Sequence, residues 1–121
     1  MLKLFKKQWK PDPSIEYSGT KAVKISGVNL NNLTSRDIGR FRGKAVREPD
    51  NPFDSNAVVI IREDGKILGR VIAHRAEKIS VKLKKYNGER PCVGEIFQEK
   101  EYNSSRKFFM GLAEILWADT E

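Results

Sequence analysis

The stretch "NAVVIIREDGKILGRVI" at 56–72 limits the possible folds more than any other part of the chain. Two runs rich in β-branched and aliphatic residues flank Asp64-Gly65, a pattern that favours strands over a helix. The Asp-Gly dipeptide predicts a tight hairpin in which both central residues take positive φ. Its first arm contains "AVVII" at 57–61, the kind of run a buried strand needs and one far too short to span a bilayer. A chain that holds such a hairpin must cover it, so further strands or a helix have to pack around it.

Those partners can be read along the chain. "KAVKISGVNL" at 21–30 has the alternation of a strand, and its phase shifts at Gly27, as at a bulge or bend. "NNLTSRD" at 31–37 reads as a loop with a helical turn capped by Thr34 or Ser35, and "GRFRGKAV" at 39–46 as a second strand. After the hairpin the period changes. Ala76, Ile79, Leu83 and Tyr86 form an apolar stripe at helical spacing, with Arg75, Lys78, Lys82 and Lys85 on the other side and Gly88 as the stop. "PCVGEIFQEKEY" and "RKFFMGLAEILW", joined by "NSS" at 103–105, read as a closing hairpin. The expected fold is mainly β, with six strands, one or two helices and short turns, curved into a small barrel.

At 121 residues the chain is long enough for one domain with its own core, read here as 21–121 after a basic tail or edge segment at 1–20. That segment has four lysines in its first ten positions. Its Leu2, Leu4, Phe5 and Trp9 could form an amphipathic membrane patch or pack onto the domain. No apolar stretch of signal-peptide length follows, and the single Cys92 cannot form an internal bridge, so the expectation is a soluble cytoplasmic protein. A net charge of +7 favours a polyanionic partner, most often nucleic acid.

"REPDNPFDSNAV" at 47–58 is the most unusual segment. Pro49 and Pro52 fix φ and push Glu48 and Asn51 towards extended backbone. Asp50, Asp54, Ser55 and Asn56 suit side-chain-to-backbone turns. Local physics therefore builds a stiff elbow, but it does not call for Phe53. That ring is either folded back into the core or presented to a ligand.

The same residues carry a resemblance. "REPDNPFDSNAVVI", followed by "GKILGRV" and a short helix, resembles the HIRAN domain family, marked by an Arg-Glu-Pro-x-Asn-Pro-aromatic-Asp-x-Asn-Ala-Val run and then a strand with Ile/Leu-Gly. The likeness covers about 21–85 and is specific over 47–69. It implies a modified OB-like β-barrel that binds DNA. In SWI/SNF-type fork-remodelling enzymes such domains capture the 3′ end of single-stranded DNA; bacteria and phages carry standalone versions. This chain resembles the standalone kind, non-catalytic, without metal or cofactor, with a role in DNA repair or replication and other DNA-processing proteins as possible partners.

Carried over residue by residue, the likeness makes Phe53 the stacking aromatic and Asp54 the acceptor of the 3′-hydroxyl, although a loop cap on Asn56 is an equally simple use of that carboxylate. Asn51 matches a loop asparagine near the bound nucleotide. Arg70 stands where some members have a DNA-contacting histidine and is expected to grip a phosphate, helped by Arg75 and Lys78. Arg47 and Asn29 complete the expected interface. The first strand departs from the pattern: DNA-binding members place an arginine and an aromatic after its glycine, and "GVNL" supplies Asn29 and Leu30. Arg40, Phe41 and Arg42 are the candidates to compensate.

Two rival readings remain at this stage. Pro49-Asp50 with Asp64-Gly65-Lys66 spells the halves of a metal-dependent nuclease signature, in which carboxylates hold a divalent ion and a lysine orients water. The other is a protein-interaction module whose barrel has lost DNA binding. A calcium loop is excluded, because Ser55 and Ile61 occupy its glycine and glutamate positions. His74 and Cys92 lie on different expected elements and read as a surface histidine and a half-buried thiol.

Overall fold

A computed structural model of the protein describes residues 22–100 and 106–117. The basic segment expected at 1–20 and the connection at 103–105 lie outside the described residues. The described residues form six strands, β1 (Val23–Ser26), β2 (Gly39–Arg47), β3 (Val58–Arg62), β4 (Ile67–Val71), β5 (Glu89–Lys100) and β6 (Lys107–Ile115), and one α-helix, α1 (Ala73–Leu83). The strands close into an antiparallel barrel in the order β1-β4-β3-β2-β5-β6, the small OB-like architecture expected. Closure depends on the short β1, whose Ile25 lies opposite Val71 of β4 on one side and Gly111 of β6 on the other.

Alternation decides what faces inward. Val23 and Ile25 of β1, Phe41 and Ala45 of β2, Val58 and Ile60 of β3, and Leu68 of β4 enter one core. Phe41 is therefore a core residue and cannot supply the missing stacking surface. Helix α1 packs against β2 and β3 and adds Ala76, Ile79 and Leu83 to that core, as its apolar stripe predicts. The stripe's last member, Tyr86, is half-buried instead, tilted at 43° against Trp117 with ring centroids 5.8 Å apart and covered by the Arg90 guanidinium at 4.8 Å. Lys82, expected on a purely solvated face, lies over the Trp117 ring at 4.4 Å. Past a 3-10 turn at Lys84–Tyr86, Asn87 at φ 63° and Gly88 at φ 88° end the helical segment.

Three local readings are refined. The helical turn is Ser35–Asp37, and Thr34 is its cap: its hydroxyl accepts from Arg36 N–H while Asp37 accepts from Thr34 N–H. The β3–β4 connection is a three-residue loop closed by Arg62 N–H to Lys66 O at 2.8 Å, and only Gly65 takes positive φ. Asp64 stays in the ordinary region, and its carboxylate receives Nε and Nη2 of Arg62. Gly27 is no bulge. At φ 77° it turns the chain out of the sheet into a 3-10 turn at Val28–Leu30. Among the described residues no helix is long and apolar enough to cross a membrane.

Candidate functional site

The elbow is the β2–β3 hairpin loop. Arg47 pairs with Val58 at its base, and Glu48 N–H donates to Ala57 O at 2.9 Å. Inside that ring Asn51 sets the shape: its Oδ1 accepts the N–H groups of Phe53 at 2.8 Å and Asp54 at 3.1 Å. Its Nδ2 donates to Glu48 Oε1 at 3.2 Å. One Asp54 oxygen, Oδ1, caps Asn56 N–H at 2.9 Å, so the local use of that carboxylate is realised, while Oδ2 takes no part in the cap. The bonds to Asn51 Oδ1 and Asp54 Oδ1 satisfy backbone donors that a loop of this length would otherwise leave to water.

The loop holds Phe53 outward. The residue is 95% exposed, so it is not folded back into the core. Burying a phenylalanine is worth about 1.5–3 kcal/mol, a gain this position forgoes. Beside the ring is an open cavity of about 480 Å³ lined by Asn51, Phe53, Asp54, Ser26, Arg70 and Ala73. The register explains the grouping, because Ser26 lies opposite Arg70 across the β1–β4 pair and its hydroxyl donates to Arg70 O. That close approach needs Gly69: a Cβ there would sit 2.5 Å from Ser26 O and 2.6 Å from Ile25 Cγ2, at φ 155°.

Of the expected interface residues, the fold brings together Asn51, Phe53, Asp54 and Arg70. The others serve elsewhere. Asn29 grips β6 through its carboxamide, donating to Phe109 O at 3.0 Å and accepting Phe109 N–H at 2.8 Å. The β1–β6 register ends at Ile25 opposite Gly111, and continuing it would set Gly27 against Phe109. Once Gly27 turns away, the Asn29 side chain takes over that backbone pairing. Arg47 donates its Nε to the buried Ser80 hydroxyl at 3.0 Å, fastening β2 to α1. Arg75 and Lys78 are exposed on α1. At about 100° per residue they lie roughly 200° and 140° around the helix from Ala73, on the side turned away from the cavity.

Arg70 differs most from its expected role. Its Nε and Nη2 donate to the two carboxylate oxygens of Glu48 at 2.7 and 2.9 Å, a bidentate pair that leaves out Nη1. The Arg70 guanidinium holds the Glu48 carboxyl below its ordinary range, and Glu48 in turn raises Arg70. Glu48 is the residue that sequence reasoning overlooked. Its partner stands 22 positions away, and no local spacing in the sequence links the two.

A second charged cluster lies around the β3–β4 loop. Asp37, only 6% exposed at its side chain, receives Arg62 Nη1 at 2.8 Å and Lys66 Nζ at 3.1 Å. Burial pushes its carboxyl up, but the Thr34 N–H, Arg62 and Lys66 outweigh that and hold it at about 2. Asp64 is held low by Arg62. This arrangement takes apart the nuclease signature. Asp50 lies in the elbow before β3 and Asp64 in the loop after it, so the five residues of β3 separate them, on the order of 16 Å of extended chain. Among the described residues no group of three or more His, Cys, Asp or Glu side chains could hold a metal. Cys92 is fully buried, its thiol pushed up to about 12 by desolvation, and the exposed His74 is no partner for it.

No protein-family model, curated protein or solved structure matches this chain.

Proposed function

We propose that this protein is a non-catalytic DNA-binding domain of HIRAN type that captures the 3′-hydroxyl end of single-stranded DNA in the cavity beneath the elbow. The observation that carries the reading is Phe53: a fully presented ring on a loop held by side-chain bonds, beside a carboxylate with one oxygen outside its cap. An exposed aromatic on a loop whose backbone is held offers a stacking face for a base, worth ~1–3 kcal/mol whatever the sequence. The Asp54 carboxylate suits a donor, and a terminal hydroxyl is the donor a 3′ end provides.

Charge balance supports the same end. Arg70 and Asp54 are the charged residues of the cavity's lining; counted together with Glu48, the partner of Arg70, they form a group of formal sum −1 on a chain of +7. The chain as a whole attracts a polyanion, while the cavity favours the one point of that polyanion without a phosphate. Phosphates further along the strand then fall to cationic side chains outside the cavity. The test is fluorescence anisotropy with labelled oligonucleotides that differ only in a 3′-hydroxyl or 3′-phosphate, on wild type and Asp54→Asn. Wild type favours the hydroxyl and the variant loses that preference; equal wild-type binding to both ends refutes the reading.

The second reading, a protein-interaction module, draws on Asn29, whose carboxamide is engaged with Phe109 where DNA-binding relatives would offer a cation and a ring. Salt separates the two. Single-strand binding weakens by ~0.7 log units per released counterion for each log unit of salt, whereas contact through the exposed ring alone does not.

A further inference from the structure

We infer that Glu48 is the residue that sets the specificity of this cavity: by engaging the Nε–Nη2 edge of Arg70, it keeps the one guanidinium in the pocket from serving as a phosphate clamp. The inference rests on the end-capture reading and adds to it the device that makes the end chemically selective.

The geometry is specific. Arg70 is the cationic lining residue of the cavity, and its Nε–Nη2 edge, one of the two that can fork onto a phosphate, is already forked onto Glu48, at 2.7 and 2.9 Å. Asn51, the residue that shapes the elbow, donates to the same Glu48 Oε1, so the carboxylate is held from two sides. A terminal phosphate entering the cavity would meet a guanidinium already offset by a bidentate, charge-assisted partner, with the Asp54 carboxylate in the same lining. A hydroxyl-terminated nucleotide meets neither cost. What remains of Arg70 for a ligand is Nη1, with its charge offset by Glu48, and the plane of its guanidinium, a surface on which a base can stack. That plane stands on β4, where it offers a stacking surface that "GVNL" does not.

Two substitutions shift the balance in opposite directions. Glu48→Gln removes one negative charge and leaves a neutral carbonyl opposite Arg70, taking the local sum from −1 to 0 and freeing the guanidinium edge. Arg70→Gln leaves Glu48 and Asp54 uncompensated, taking the sum to −2. The experiment measures Kd for matched 3′-hydroxyl and 3′-phosphate oligonucleotides on the wild type and both variants, with a thermal melt of each. The expected result is a hydroxyl-to-phosphate preference that falls by about tenfold or more in Glu48→Gln and rises in Arg70→Gln. If wild type prefers the hydroxyl and Glu48→Gln, still folded, keeps that preference, the specificity role of Glu48 is overturned while end capture stands. If Glu48→Gln does not fold, Arg70→Gln decides: an unchanged or reduced preference overturns the inference. If the wild type binds neither oligonucleotide, both proposals fall together.

Discussion

Phe53→Ala separates a presented side chain from a structural one more cleanly than any other change in this protein. A buried phenylalanine cut to alanine costs 3–5 kcal/mol through lost transfer energy and a cavity. At 95% exposure Phe53 has almost no area to lose, so the variant melts with wild type, within about 0.5 kcal/mol. The loop keeps its shape, because Asn51 holds the backbone N–H of residue 53 and not its ring. Binding behaves differently. Loss of one stacked base removes ~1–3 kcal/mol, which weakens the Kd for single-stranded DNA between about fivefold and 150-fold. Phe53→Tyr retains the ring face and most of the affinity. The assay is a melt and an anisotropy titration on the same preparations. A large fall in stability, or unchanged DNA binding in a folded Phe53→Ala protein, refutes the argument that the ring is held out for a ligand.

Three further outcomes follow from the described contacts. Asp37, held at about 2 against an ordinary 3.8, stabilises the fold fully above pH 4 and loses that contribution as pH falls towards 2. The contribution is on the order of 2 kcal/mol, so urea midpoints of wild type and Asp37→Asn converge across this window. Gly69→Ala drives a Cβ against Ser26 O and lowers stability by about 2 kcal/mol or more, seen as a reduced urea midpoint. Asn29→Ala removes both bonds to Phe109 and costs about 1–3 kcal/mol; a melt shows the loss, and DNA affinity measured well below the new Tm is unchanged.

Local chemistry made the frame legible. The Asp64-Gly65 turn, the periodic stripe of Ala76, Ile79 and Leu83, and the prolines of the elbow all act over a few residues, and each appears where its spacing predicts. Contacts that depend on closure were hidden. Glu48 meets Arg70 across 22 positions of sequence, and only the pairing of β2 with β3 and of β3 with β4 brings the two together. Asn29 meets Phe109 across 80, once the barrel has shut and Gly27 has turned the chain aside. Arg75 and Lys78 show the converse. Their position after Arg70 suggested a shared phosphate grip, yet the turn of α1 carries them away from it. The site is thus smaller and less cationic than the charge of the chain suggested.

That smaller site makes the central claim directly measurable. Wild-type protein is titrated at low salt with two oligonucleotides identical except for a 3′-hydroxyl or a 3′-phosphate. The account predicts tighter binding to the hydroxyl end; equal affinity for the two ends, or tighter binding to the phosphate, contradicts it.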